Sequence, residues 1–316
     1  MGRSGLKVSH LGLGTMTWGV ETDPDEAAAQ LVTFRDVGGT LVDTAASYGY
    51  GGTEALIGQL LADVVPRSEL VIATKAGITR TPESRTVDAS RGELLRRLDE
   101  SLRKLGTDYV DLWYVHYVDD AVPFEETLGA LDHAVATGKA RYVGVSNYCG
   151  WRLGRAAAWQ SAVPGRAPVV ANQVRYSLLD RGIEREVVPA AAAFGVGIMP
   201  YSPLGGGMLT GKYREGVPAD SRAAAPRPLP LDETPKAAGI VEAVATAAEG
   251  LATSPVSVAL AWLRDRPGVA APILGARTLG QLTAALASDA LELPAEISSA
   301  LDDVSAPAIE YPEDVR

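Results

Sequence analysis

Short apolar runs recur along the chain, and each stops at a polar or glycine-rich cluster. Leu41-Val42 runs into Asp43, and the run 70–74 into Lys75. The run 111–115 stops at His116, 142–145 at Ser146-Asn147, 169–171 at Asn172-Gln173, and 197–200 at Tyr201-Ser202. The first run, 11–13, opens into Gly14-Thr15, and the last, 269–274, into Gly275-Ala276-Arg277. Strands buried on both faces read as continuous apolar runs. Polar residues gathered at their C-terminal ends are what a (β/α)8 barrel shows where it builds an active site.

Helical patterns fill the intervals. Asp23-Pro24-Asp25-Glu26 is a helix start, with a capping Asp, Pro at the first helical position and acids in the first turn. Ser90 with Glu93 predicts a capping box, and Leu94, Leu98, Leu102 and Leu105 form one apolar stripe behind it. Phe124, Leu128, Leu131 and Val135 repeat the pattern, and 151–159, 184–194 and 278–286 complete the alternation. Strands alternating with helices of this length mean βαβ units and a parallel sheet. The proline-rich stretch 205–235 has no clear period and reads as a functional loop, and 294–304 reads as an extra helix. Residues 6–10 are expected to form part of a small hairpin on the barrel floor. The expected fold is therefore α/β, a (β/α)8 TIM barrel with an extra C-terminal helix and a long loop after strand 7, in one domain over residues 1–316. A doubly wound dinucleotide fold would want G-x-G-x-x-G after the first strand, whereas here Gly12 and Gly14 are followed by Met16, Thr17 and Trp18.

Bulk composition narrows the class further. The 316 residues are 47% hydrophobic, enough for a large core, yet no run is long enough to span a bilayer. The first residues lack the apolar stretch of a signal peptide, so a cytoplasmic protein is expected. A single cysteine, Cys149, excludes an internal disulfide and argues against a structural zinc site. The net charge of −10 is that of a surface which repels nucleic acid, so neither a nucleic acid nor a membrane is expected as partner. Oligomeric state has no signature in the chain.

The most specific local feature is Asp43-Thr44-Ala45-Ala46-Ser47-Tyr48-Gly49. An Asp at a strand end and a Tyr five residues on both reach a barrel mouth, and Lys75 and His116 close the next two strands on the same rim. Tyrosine is a poor acid, with an unperturbed pKa of about 10. A nearby ammonium favours the phenolate and is expected to lower that value. Asp43 paired with Lys75 would hold the lysine charged, which makes Tyr48 a candidate general acid and His116 a donor to a substrate carbonyl. Trp18 is a candidate for lining the substrate pocket beside Tyr48 and His116.

On these residues the chain resembles the aldo-keto reductases. The resemblance covers most of its length: D-T-A-x-x-Y-G at 43–49, then Gly51, Glu54 and Gly58, G-V-S-N at 144–147, N-Q at 172–173 and Y-S-P-L-G at 201–205. It implies catalytic roles for Asp43, Tyr48, Lys75 and His116, and an NADPH site. Ser146, Asn147 and Gln173 would bond the nicotinamide carboxamide, and Tyr201 would stack on its ring. Backbone near Ser202, Leu204 and Gly205 would cradle the pyrophosphate. Gly275, Ala276, Arg277 and Gln281 would surround the adenosine ribose and its 2′-phosphate, with Gly14 and Thr15 lining the same cofactor site. Ala284 and Ala285 stand where family members often carry Glu-Asn, which removes polar contacts from the adenine side.

The implied activity is NADPH-dependent reduction of a small-molecule aldehyde or ketone. A regulatory subunit of the same fold that senses nucleotide, like those attached to potassium channels, would keep the same residues. So would a biosynthetic reductase of nucleotide-linked keto sugars.

Overall fold

The computed structural model of the chain describes residues 1–219, 221, 223, 224 and 231–308. The first half runs β1 (Gly12–Gly14), α1 (Pro24–Asp36), β2 (Leu41–Asp43), α2 (Thr53–Asp63) and β3 (Val71–Ala76). Then come β4 (Ile78–Arg80), β5 (Arg85–Val87), α3 (Arg91–Leu105), β6 (Val110–Val115), α4 (Phe124–Ala136) and β7 (Ala140–Ser146). The second half continues with α5 (Gly150–Ser161), β8 (Val169–Arg175), α6 (Val187–Phe194) and β9 (Gly197–Tyr201). It ends with α7 (Pro235–Gly250), α8 (Pro255–Arg264), β10 (Ile273–Leu274), α9 (Leu279–Leu286) and α10 (Ala295–Ser305).

Eight of these strands form one parallel sheet in the order β10-β1-β2-β3-β6-β7-β8-β9. The ring closes through a bridge between Ile198 of β9 and Val269, with Ile198 N–H on Gly268 O and Ala270 N–H on Ile198 O. The last apolar run thus serves two neighbours: Val269 pairs with β9, and after Pro272, which has no N–H to give, Ile273–Leu274 pairs with β1. The predicted TIM barrel is the observed fold, with the extra helix α10 behind it.

Strand alternation decides which side chains enter the barrel. Leu41, Ala73, Leu112, Tyr114, Ala171, Met199 and Ile273 form a buried interior cluster. Their neighbours Val42, Ile72, Trp113, Val115 and Ile198 belong to the outer cluster that packs against the helices. Space inside is tight. A Cβ on Gly144 would lie 2.6 Å from a Tyr114 ring carbon, and one on Gly14 would lie 2.7 Å from Ile273 Cγ2. Both glycines are therefore where a neighbour's bulk fills the lumen.

Several local expectations change. Residues 6–10 form no strand; instead Met1, Leu6 and Val8 pack onto the interior cluster and plug the floor. Asp23 caps α1 as read, accepting from Glu26 N–H. Ser90 precedes α3 but its hydroxyl makes no cap, because Glu93 is drawn to Arg96 and Arg97 while the Arg91 N–H goes to Glu126. Helices α7 and α8 had no counterpart in the sequence reading. Each opens on a Thr-Pro or Ser-Pro pair whose hydroxyl accepts from the third residue on, and their alanine-rich buried faces dull the apolar period. The β4–β5 hairpin had no counterpart in the sequence reading either. The stretch 205–235 begins with a helical turn at Gly205–Thr210; its positions 220, 222 and 225–230, and the tail beyond 308, lie outside the described residues. No single helix among the described residues is long and apolar enough to cross a membrane.

Filling the lumen at Gly144 tests the packing. A Cβ there meets both the Tyr114 ring and, at 2.8 Å, the Ala171 carbonyl oxygen, so neither a rotamer change nor a small shift relieves it. Gly144→Ala is expected to lower the unfolding free energy by about 1–3 kcal/mol, the usual cost of overpacking. Urea denaturation measures it, and an unchanged midpoint would show the lumen to be looser than described.

Candidate active site

Continuing the alternation two residues past the interior cluster puts a second chemistry at the C-terminal ends of the strands. Leu41 is followed by Asp43, Ala73 by Lys75, Tyr114 by His116, Gly144 by Ser146, Ala171 by Gln173 and Met199 by Tyr201. The register is staggered around the ring: Asp43 pairs with Ala73, Lys75 with Tyr114 and Gln173 with Met199, while Ser146 pairs directly with Gln173. Polar side chains from six strands thus cap one apolar lumen.

Lys75 is the centre of this layer. Its Nζ donates to Asp43 Oδ2 at 2.7 Å, to the Thr44 carbonyl at 2.8 Å and to Tyr48 Oη at 3.4 Å, which accounts for all three ammonium hydrogens. The ion pair is almost wholly shielded, with side-chain exposures of 0% and 3%. Gln173 Nε2 donates to Asp43 Oδ1 at 2.7 Å, so both carboxylate oxygens are engaged. Burial works against the charge on Lys75, but Asp43 and Tyr48 outweigh it and hold the ammonium above the ordinary lysine range.

The expected lowering of the Tyr48 pKa is not what the environment gives. Burial raises it, the Lys75 ammonium opposes, Asp43 adds to the rise, and the net direction is upward. Tyr48 therefore keeps its proton at neutral pH. Its ring meets His116 edge-on, with centroids 6.0 Å apart at 80°. Burial, followed by Lys75, Arg85 and Arg80, pushes the His116 imidazole well below its usual value. It is neutral at physiological pH, and its Nδ1 is buried without a partner.

The other residues of the layer are tied to one another. Ser146 Oγ donates to the Gln173 carbonyl, Asn147 Nδ2 donates to His116 O and Ser146 Oγ, and Tyr201 Oη donates to Asn147 Oδ1 at 2.9 Å. Asn147 and Ser202 have positive φ, 62° and 53°, which a non-glycine residue adopts at a cost of about 1–3 kcal/mol. Gly205, Gly206 and Gly207 follow in the same left-handed region. A Cβ on Gly205 would lie 2.6 Å from Leu179, and one on Gly207 would lie 3.2 Å from Lys212 Nζ. Backbone and a cation converge here in a cradle that side chains would fill, a donor set suited to a diphosphate. The Gly205 and Gly207 N–H groups themselves turn inward, to Ser202 O and Leu204 O, which leaves the Gly206 N–H and Lys212 as the donors facing out.

Between the adjacent ends of β1 and β10, Thr17 and Thr22 donate to the carbonyls of Ala276 and Arg277, which fastens the turn after β10 to the turn after β1. The Arg277 N–H reaches Gln281 Oε1, and Arg277 Nη1 lies 3.9 Å from Glu21 Oε2. Thr278 caps α9 by accepting from Gln281 N–H. Gly275 is exposed and Ala276 buried. Three residues sit differently from their expected places. Trp18 is fully buried in the outer cluster with its indole N–H on Gln30, so it has no surface for a substrate. Thr15 donates to Asp43 O, and Gly14 faces the lumen packing, so both build the wall. Among the described residues no three His, Cys, Asp or Glu side chains gather as metal ligands would.

Sequence reasoning missed the Thr44 carbonyl, the Gln173–Asp43 bond, Lys212, and Arg80 and Arg85. A backbone carbonyl leaves no sequence signal. The hairpin did leave one: Thr81-Pro82-Glu83-Ser84 is a turn composition between short matching segments.

The buried imidazole gives a pH signature. His116 is neutral when folded, yet protonates below about pH 6.5 when unfolded. The unfolded state then binds more protons, so stability falls as pH drops below that value, by up to about 1.4 kcal/mol per unit. His116→Asn should flatten the stability profile between about pH 6.5 and 5. Parallel wild-type and variant profiles from denaturation would place His116 in a solvated setting instead.

The sequence profile of the aldo/keto reductase family matches residues 10–306. An uncharacterised oxidoreductase of Bacillus subtilis, YrpG, is 35% identical over 99% of this chain and 97% of its own length. The L-glyceraldehyde 3-phosphate reductase of Escherichia coli K12 is 35% identical over 89% of this chain and 84% of its own. A probable voltage-gated potassium channel subunit beta of rice, Oryza sativa, is also 35% identical, over 89% of this chain and 88% of its own length. Matched along nearly its whole length, on an eight-stranded parallel barrel with these residues at its mouth, this chain belongs to the aldo/keto reductase family and is an oxidoreductase of that family's carbonyl-directed class.

Proposed function

We propose that this protein reduces aldehyde or ketone carbonyls to alcohols with NADPH, and that Tyr48 Oη gives the proton. The observation that carries this reading is the buried chain from Gln173 through Asp43 and Lys75 to Tyr48, ending beside a neutral imidazole. When bound, the dihydronicotinamide supplies a hydride to the carbonyl carbon. Everything else is done by the chain.

Tyr48 arrives protonated because burial outweighs the pull of Lys75. As the proton leaves Oη, negative charge grows 3.4 Å from an ammonium already fixed by Asp43 and Thr44. That attraction strengthens along the reaction and needs no reorganisation, which is how a preorganised site lowers a barrier. His116 is neutral, so one ring nitrogen carries a hydrogen, and in the tautomer with Nε2–H it donates to the carbonyl oxygen. Shielding of the Lys75–Asp43 pair from bulk solvent keeps both charges effective.

Ser146, Asn147, Gln173 and Tyr201 would hold the nicotinamide end. Ser202, Leu204, the glycines 205–207 and Lys212 would take the diphosphate. Gly275, Ala276, Arg277 and Gln281 would take the adenosine side, with the Arg277 guanidinium on the 2′-phosphate. A second reading, a regulatory subunit that senses nucleotide, draws support from the rice channel subunit, whose identity to this chain equals that of the bacterial reductase. Measurable turnover separates the two.

Two substitutions test the proposal. Tyr48→Phe keeps the ring but removes the proton, so NADPH should still bind while carbonyl reduction falls about 10²–10⁴-fold. A variant retaining a third of wild-type turnover under chemistry-limited conditions would remove Tyr48 from the role. Arg277→Ala should weaken NADPH binding about tenfold or more while sparing NADH, since charge-assisted contacts contribute roughly 1.5–3 kcal/mol each. Equal weakening of both in a fluorescence titration means that Arg277 does not read the phosphate.

A further inference from the structure

The β4–β5 hairpin leaves β3 immediately past the lysine-bearing strand end and packs on the turn Tyr48–Gly51. Its antiparallel register sets Ile78 opposite Val87 and Arg80 opposite Arg85. Ile78 is buried in the barrel top, while Arg80, on the same ribbon face, and Arg85 opposite it are exposed above that top. Arg97 on α3 donates to Thr79 Oγ1 at 2.8 Å and fixes the hairpin from outside. Arg85 stacks on Tyr117, 4.8 Å from the ring centroid, and Tyr117 follows His116 directly.

Two guanidiniums directly opposite each other on a ribbon repel, which destabilises the pair. Among the described residues neither is joined to a carboxylate, while Arg97, which fixes the hairpin, is paired with Glu93. The acids nearby are otherwise occupied. Glu83 accepts from Thr81 Oγ1, Asp88 from Ser90 N–H, and Asp119 from the N–H groups of Ala89 and Ala121. In a chain of net charge −10, a facing pair of arginines beside the mouth is an arrangement that an anion between them would stabilise. Both charges already reach the site, adding to the burial and the Lys75 charge that keep His116 neutral.

We propose that Arg80 and Arg85 form an anion clamp that selects carbonyl substrates carrying a carboxylate or a phosphate. This rests on the carbonyl-reductase reading and deepens it to a substrate class. The carbonyl sits at Tyr48 and His116, and the anionic end reaches up to the hairpin.

Matched substrate pairs test it: butanal against succinic semialdehyde for a carboxylate, and glyceraldehyde against glyceraldehyde 3-phosphate for a phosphate. The wild type should favour the charged member of at least one pair by tenfold or more in kcat/KM, chiefly through KM, taking about tenfold per exposed charge-assisted contact. The pair that shows the preference identifies the anion. In Arg80→Gln/Arg85→Gln that ratio should fall towards one, with the neutral member of each pair serving as the check that the variant is folded. Arg80→Lys/Arg85→Lys should retain part of it, and salt near 1 M, where the Debye length is about 3 Å, should erode it. Equal use of charged and neutral members by the wild type, or full preference in the Gln variant, overturns the clamp while leaving the reductase reading intact. No turnover of any of the four overturns the reductase reading itself, and the clamp with it.

Discussion

A lysine ammonium buried inside a barrel is the constraint around which the rest is arranged. Lys75 has no water to solvate it, and an isolated charge in such a place is costly by several kcal/mol. It is tolerated because three acceptors stand within reach: a carboxylate, a backbone carbonyl and a phenol. All three come from the end of β2 and the turn that follows it, so that strand and β3 must be in register for the charge to be satisfied. The carboxylate needs its own second partner, and Gln173 supplies it from the far side of the ring. One buried cation thereby links strands that lie 130 residues apart in the chain.

The same logic separates what was legible in the sequence from what was not. The strands were legible because runs such as 112–115 are apolar throughout, which is what burial on both faces requires. The tetrad was legible because Asp43, Lys75 and His116 each end such a run, and strand parity alone then points them the same way. Helices α7 and α8 were not, since alanine contributes little to an apolar stripe although it packs well against a neighbour. The direction of the Tyr48 pKa was misjudged for a physical reason: the ammonium was visible in the sequence, but the depth of burial that opposes it was not. Trp18 shows the converse error. An aromatic near a strand end has two places to go, and the Gln30 acceptor that draws its indole into the core lies on the next helix. The mutual bonds of Ser146, Asn147, Gln173 and Tyr201 depend on loop conformation and have no sequence signature.

Rigid and strained backbone are divided unevenly around the mouth. The wall from β10 through β1 to β2 is fixed by hydrogen bonds from Thr15, Thr17 and Thr22 to carbonyls of the neighbouring strand ends. Elsewhere on the rim, Asn147, Ser202 and the glycines 205–207 hold left-handed conformations. Such positions persist only where their surroundings over-determine them. Here the network from Tyr201 through Asn147 to the His116 carbonyl does so, joining the strained side of the mouth to the acid–base side.

The divided last strand bears on how the chain reaches this state. Gly12 is paired with Ile273, and Ile198 with Val269, so the two edges of the sheet meet only through a segment near the far end of the chain. Until residues 268–274 leave the ribosome, β1 and β9 each present an unpaired edge, the kind of surface on which strands from other molecules add. Met1, Leu6 and Val8 meanwhile lack part of the floor they plug, since Ala271 and Ile273 belong to that cluster. Closure of the ring is thus the late, cooperative event, and sealing the barrel removes both exposed edges in a single step.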